Sequence, residues 1–199
     1  MNHEETREKL INGAICVMAR DGLDKTTTRQ IATETSINEV YIYRCFTDKE
    51  DLFCKMFESL DNELVSCILR HLPIMYQEDM EYELRCRFLF SSIWSLLLGA
   101  RDRCLAYVQY YYSPYFMKYS ATTHEQRYAP VLEKFKDAFK SEAQVWLILG
   151  HILNVLLDFA VKVHNDQMPK ADNYSEHVFR VIYASIRQYF RNAEESDSE

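Results

Sequence analysis

The stretch Thr6–Phe53, TREKLINGAICVMARDGLDKTTTRQIATETSINEVYIYRCFTDKEDLF, decides the fold. Leu10, Ile11, Ala14, Ile15, Val17 and Met18 recur at spacings of three and four, which predicts an amphipathic helix from about Thr6 to Arg20. Gly22 supplies its left-handed stop. Thr27-x-x-Gln30 is a capping box, in which each side chain satisfies the other residue's free backbone N–H. It opens a second helix whose Ile31 and Ala32 face inward. Thr35-Ser36-Ile37 reads as a short turn, and Asn38 is placed to cap a short third helix ending near Phe46. Thr47-x-x-Glu50 is a second capping box, opening a fourth helix that reaches about His71. Two short helices joined by a tight turn, behind a supporting first helix, are what a helix-turn-helix requires.

Outward from this stretch the pattern stays helical. Pro73 closes the fourth helix, and amphipathic segments follow at about Asp79–Leu98 and Asp102–Tyr112. Tyr115–Lys140 is helical in pattern but holds Pro130, where a break or kink is expected. Glu142–His164 is the longest apolar helix, Asn165–Asn173 a loop, and Tyr174–Arg191 the last helix. With only four glycines and four prolines in 199 residues, long uninterrupted helices are favoured. The expectation is an all-α chain of about nine helices, without strands or internal repeats. Residues 1–48 are expected to form a three-helix helix-turn-helix domain, 49–192 a helical-bundle domain, and 193–199 an acidic disordered tail. Ala143–Val163 is nearly all apolar, but Gln144, His151, Asn154 and Asp158 interrupt it. Such groups are costly in a lone membrane span, so a buried helix and no membrane are expected.

The formal charge is −7, of which the tail carries four acids, Glu194, Glu195, Asp197 and Glu199. Lys25–Lys49 holds four basic residues (Lys25, Arg29, Arg44, Lys49) and three acidic ones (Glu34, Glu39, Asp48). Since affinity for duplex DNA comes largely from neutralising phosphates, this charge permits DNA binding without arguing for it. The six cysteines form no C-x-x-C pair and no zinc spacing with histidine, so buried reduced thiols and no metal are expected. The first residues, MNHEETREKL, are charged at once and show no apolar signal core, which points to the cytoplasm of a bacterial-type cell.

Thr27, Thr28 and Arg29 stand at the start of helix two, where exposed N–H groups and the helix dipole attract a phosphate. Asn38, Glu39, Val40, Tyr41 and Arg44 occupy the first two turns of helix three, and Tyr43 and Lys49 can reach flanking phosphates. On this pattern alone, Tyr41 and Tyr43 can equally be core aromatics and Arg44 a solvated charge.

The same stretch resembles the N-terminal domain of the TetR (tetracycline-repressor-like) family. Arg7, Leu10, Ala14, Gly22, Thr26, Thr27, Ile31, Ala32, Asn38, Ile42, Tyr43, Phe46, Lys49 and Leu52 follow the family pattern without a gap, over about a quarter of the chain. The resemblance implies a homodimeric, ligand-responsive repressor of a palindromic operator, with no cofactor. It implies phosphate contacts for Thr27 and Thr28, and a phosphate or base contact for Arg29. Glu39, Val40, Tyr41 and Arg44 would face the major groove, and Tyr43 and Lys49 the backbone. Ser36 stands where the family usually has glycine, and Glu39 and Val40 where it commonly has lysine and glycine. Ser36 must tolerate a strained backbone or another turn shape. Glu39 can accept from a cytosine amino group, and Val40 can touch a thymine methyl. An operator unlike that of common relatives is expected.

The second half is rich in aromatic residues, and tyrosine suits a mostly apolar pocket that also needs a few polar groups. Phe90, Trp94, Tyr107, Tyr110, Tyr111, Tyr128 and Trp146 are pocket candidates, together with His151 and Asn154. His151, Asn154, Asp158 and Lys162 form one polar stripe that can line a pocket or a dimer interface. Asp158, Phe179, Tyr183, Ile186 and Phe190 are interface candidates; burial within one chain would give the last four the same pattern. A dimer would set two recognition helices about 34–36 Å apart, one turn of DNA, and a small, aromatic or apolar effector would favour another spacing. Helix four, which starts at Lys49, is the expected lever. No G-x-S-x-G, phosphate-cradling glycine loop or H-E-x-x-H occurs, so an enzyme is not expected. The competing reading is a helical protein-interaction adaptor that has lost DNA binding.

Overall fold

A computed structural model describes residues 2–140, 145–169 and 172–190. α1 (His3–Asp21) begins ahead of its apolar pattern because Asn2 and Glu5 form a capping box. Asn2 Oδ1 accepts the Glu5 N–H at 2.8 Å, and Glu5 accepts the Asn2 N–H at 2.9 Å. Leu10, Ala14, Val17 and Met18 form its fully buried stripe. Gly22, at φ 92°, ends the helix by donating its N–H to Met18 O. After a 3-10 turn at Leu23–Lys25 come α2 (Thr28–Thr35), α3 (Val40–Cys45) and α4 (Lys49–His71). The Thr27/Gln30 capping box of α2 is present as the spacing requires. The cap of α4 is one residue later than expected. Asp48 Oδ1 accepts the Asp51 N–H at 2.7 Å, and Asp51 accepts the Thr47 N–H at 3.0 Å. An ionised carboxylate at a helix N-terminus is a stronger acceptor than the threonine hydroxyl.

α5 (Tyr82–Gly99), α6 (Arg101–Tyr111), α7 (Ala121–Phe135), α8 (Val145–His164) and α9 (Asp172–Ile186) complete nine α-helices among the described residues. The expected break at Pro130 does not occur, since α7 runs through it. Pro130 and Gln126 are both exposed, so the carbonyl that loses its i+4 donor stands at a position water can reach. The irregularity comes earlier, as one π-helical turn at Phe116–Ser120. The only strand-like pairing among the described residues is an isolated antiparallel bridge between Phe139 and Phe190.

The chain divides into two compact units, Met1–Glu63 with Ala100–Gln126, and Leu64–Gly99 with Arg127–Glu199. The first is built on Leu10, Ile31, Ile42, Leu52, Phe53 and Phe57. The second is built on Leu72, Val131, Leu156, Leu157 and Val163. The expected boundary after residue 48 marks the end of a motif, whereas the compact units part inside α4. The tail 193–199 lies outside the described residues. α8 is long and apolar enough to cross a membrane by length and composition. Its Leu153, Leu156, Leu157, Ala160 and Val163 are buried within the second unit.

Candidate functional site

In the first unit, α1 crosses α2 so closely that a Cβ added at Gly13 would lie 2.2 Å from Thr35 Cγ2. Gly13 therefore fixes how α2 seats on its support. At the end of α2, Ser36 adopts the left-handed conformation at φ 54°, ψ 34°, the shape a glycine would favour. The Ile37 N–H donates to Ala32 O at 3.1 Å, and the buried Ile37 anchors the turn. Asn38 Oδ1 accepts the Val40 N–H at 3.0 Å, which starts α3.

The side chains of α3 then sort by side. Ile42 is fully buried and Phe46, just past the helix, is nearly so. Val40 is 55%, Tyr41 44% and Tyr43 57% exposed. These three large apolar or aromatic groups stand in solvent while their neighbours form the core, so they are not core aromatics. The Arg44 guanidinium lies 5.0 Å from the Tyr41 ring centre, a cation–π pair on the same exposed surface. Arg29, Thr27 and Asn38 are exposed as well, while Thr28, Glu39 and Lys49 are half-buried. Two of these groups have partners the sequence does not announce. Thr28 Oγ1 donates to Glu39 Oε1 at 2.5 Å, and the Lys49 ammonium lies 5.4 Å from the Phe53 ring centre.

The aromatic residues expected to line one pocket fall into both units. Tyr107 and Tyr110 pack on Phe57 in the first unit, with ring centres 5.0 and 4.8 Å away. Tyr107 donates to Asp61 Oδ1 at 3.1 Å, and His124 Nδ1–H donates to the same fully buried carboxylate at 3.0 Å. Tyr110 shares its hydroxyl with Ser120 at 2.9 Å and with the Cys54 thiol at 3.2 Å. Tyr111 stacks on Tyr107 at 5.8 Å. Tyr107 and Tyr110 are interior residues with polar partners in place, and Tyr111 is half-buried against Tyr107 and Phe116. None of the three lines the apolar cavity of the second unit.

The second unit encloses an apolar cavity of about 90 Å³. Ile68, Leu89, Ile93, Val131, Leu153 and Leu156 contribute aliphatic surface. Of the nine pocket candidates only Phe90 and Tyr128 line it. Trp94 is buried behind it, stacked on Phe90 at 5.9 Å, and Trp146 is 39% exposed with its edge toward Tyr128. Phe179, Tyr183, Ile186 and Phe190, expected at a subunit interface, also line the cavity. α9 turns this face into its own unit: Phe179, Ile186 and Phe190 are buried within the chain and Tyr183 is half-buried there. Among the described residues no charged side chain lines the space. Burial pushes the lining Cys86 thiol up to about 12, so it is neutral at ordinary pH. Tyr82 packs its ring on Phe190 at 4.7 Å, and its buried hydroxyl has no hydrogen-bond partner among the described residues.

The polar stripe of α8 faces outward. His151 and Asn154 are exposed and lie outside the apolar cavity, His151 bordering an open surface depression with Leu147, Ser185 and Tyr189. His151 Nε2 is 3.0 Å from Ser185 Oγ, whose own proton goes to Ile182 O, so the imidazole donates. Asp158 pairs with Lys162 at 2.6 Å on the same helix. Beside the stripe stand Leu147, 70% exposed, and Val181, 54% exposed.

A turn of this shape, with a buried Ile42 and an outward Val40, Tyr41, Tyr43 and Arg44, defines a helix-turn-helix protein. Residues 10–56 match the family described as bacterial regulatory proteins, tetR family. The HTH-type nicotine-responsive transcriptional repressor HdnoR of Paenarthrobacter nicotinovorans is 32% identical over 102 residues, covering 51% of this chain and 50% of that protein. The biofilm operon icaADBC HTH-type negative transcriptional regulator IcaR of Staphylococcus epidermidis is 27% identical over 84 residues, covering 42% and 45%. The chain thus spans about half the length of the curated relatives it matches. Similarity to the crystal structure of a TetR family transcription regulator from Marinobacter aquaeolei extends over 92% of this chain and 95% of that one, with a TM-score of 0.73 at 14% identity. That likeness supports the all-α fold over the part of the chain it covers. The proteins matched are regulators and not enzymes.

Proposed function

We propose that this chain is a transcriptional repressor that binds a palindromic operator as a homodimer and releases it when a small apolar effector enters the second unit. The observation that carries the DNA-binding half is the exposure of Val40, Tyr41 and Tyr43 on α3 while Ile42 is wholly buried. Tyr41 and Arg44 then reach base edges, and Arg29, Tyr43 and Lys49 reach phosphates. The outward face of α8 and α9, with Leu147, His151, Asn154 and Val181, supports a two-fold interface. The apolar lining of the cavity supports an uncharged effector, and HdnoR is named as nicotine-responsive. α4 carries Lys49 at its start and the cavity residue Ile68 near its end, which makes it the element through which occupancy alters DNA affinity. The site of action is the cytoplasm, where the operator would be.

Enrichment of bound duplexes from a random DNA pool tests this reading. An inverted repeat is expected. Tyr43→Ala and Lys49→Ala should each weaken binding to every sequence alike and flatten its salt dependence, as loss of a phosphate contact does. A chain that enriches no repeat is an adaptor and not a repressor.

A further inference from the structure

The hydrogen bond between Thr28 and Glu39 joins the first residue of α2 to the residue just before α3. Glu39 already has helical backbone angles, φ −52° and ψ −31°, and its side chain caps nothing. Its carboxylate is half-buried, with one oxygen held by the threonine hydroxyl at 2.5 Å. The other oxygen takes no hydrogen bond among the described residues. A carboxylate with one oxygen held and its residue half-buried has less rotational freedom than a free one. The pairing therefore presents a single acceptor in a defined place at the leading end of the exposed helix.

A carboxylate accepts and cannot donate. In the major groove, guanine shows two acceptors, thymine one acceptor and a methyl, and adenine an acceptor beside its amino group. Cytosine alone offers an amino donor with no acceptor on its own edge. The same negative charge is repelled by every phosphate, so it weakens binding to DNA in general. Its effect is therefore discrimination at the cost of affinity, with Arg29 and Arg44 supplying attraction from the same two helices.

Resting on the DNA-binding reading above, we propose that Glu39 selects cytosine at the leading end of α3 and that Thr28 is its positioning residue. Thr28 then serves the base contact through Glu39 and does not hold a phosphate itself. The pairing explains how a chain with an acid in this place recognises DNA: the carboxylate is aimed before the duplex arrives, so its ordering cost is met on folding.

The test compares the full chain with Glu39→Gln, Thr28→Val and Thr28→Ser. Each is put through enrichment from random duplex DNA, then anisotropy titrations on the enriched duplex and on versions with one base pair replaced. The native chain should enrich a cytosine at one position of each half-site, and replacing it should weaken binding roughly ten- to a hundredfold. Glu39→Gln should move the preference toward adenine, whose amino and ring nitrogens match an amide, and should tighten binding to unrelated duplexes. Thr28→Val should keep the preferred base but reduce the ratio between matched and mismatched duplexes, and Thr28→Ser should restore it. A purely structural role for Thr28 would change affinity for all duplexes and leave that ratio alone, which overturns its assignment. An unchanged preference in Glu39→Gln overturns the proposal while leaving the repressor reading intact. Absence of any enriched sequence with the native chain fells the repressor reading, and this proposal with it.

Discussion

The two compact units differ in how their interiors treat polar groups. In the first, aromatic rings surround a fully buried carboxylate, and Asp61 receives hydrogen bonds from Tyr107 and His124. Tyr110, also fully buried, meets Ser120 and Cys54. In the second, the centre is aliphatic and aromatic surface around an open space, and the hydroxyl of Tyr82 and Nδ1 of His164 are buried without partners among the described residues. Buried polar groups that are matched make a unique, rigid interior. Unmatched ones mark an interior that is less completely specified. Under the proposed function the tight first unit would read DNA and the looser second one would receive the signal.

The largest test of that contrast is Asp61→Ala. The substitution takes from His124 and Tyr107 the carboxylate they share inside the first unit. Breaking a buried pair this way costs about 3–5 kcal/mol, read as a fall in the urea midpoint. A loss below about 1 kcal/mol would mean that the network is not what holds the first unit rigid, since that is the scale of an ordinary hydrogen bond.

A matched pair of substitutions sharpens it further. Val17 and Val131 are both essentially inaccessible, but only Val131 borders the cavity. Val17→Leu should destabilise by about 1–3 kcal/mol, because an extra methylene in a filled interior forces its neighbours aside. Val131→Leu should stabilise by roughly 0.8 kcal/mol, the worth of one buried methylene with room to lie in. It should also weaken the effector response by occupying the same space. Equal signs for the two melting shifts would erase the distinction between the units.

Much of the first unit was legible in the sequence because its determinants are local. The Thr27/Gln30 box and the Asn38 cap each lie within a few residues of the backbone group they satisfy, and the outward set Val40, Tyr41, Tyr43 follows from the inward Ile42. The cavity was not legible in the same way. Composition shows that the chain is rich in tyrosine, but not which rings have a partner such as Asp61, 63 positions before His124. Periodicity shows that Phe179, Ile186 and Phe190 share a face of α9. It does not say whether that face turns toward the same chain or another, and here it turns inward. The Thr28–Glu39 bond and the Gly13–Thr35 approach also join different helices, so no repeat in the sequence marks them.

The smallest effect concerns strain in place of slack. Ser36 is one of two non-glycine residues with positive φ among those described, the other being Asp166. Its Cβ meets the following carbonyl in the left-handed shape, at a cost of about 1–2 kcal/mol. Glycine removes that contact but loses more freedom on folding, which returns about 0.5–1 kcal/mol. Ser36→Gly should therefore stabilise the chain by only about 0.5–1 kcal/mol, visible as a small rise in melting temperature. The direction carries the argument. Ile37 and Asn38, which follow Ser36, are already fixed, one by burial and one by its bond to Val40. The first unit therefore has no looser backbone into which Ser36 can relax. If the glycine variant melts lower, Ser36 is not strained, and its hydroxyl or its stiffness supports the turn. The tight unit would then owe its rigidity to the turn as well as to the Asp61 network.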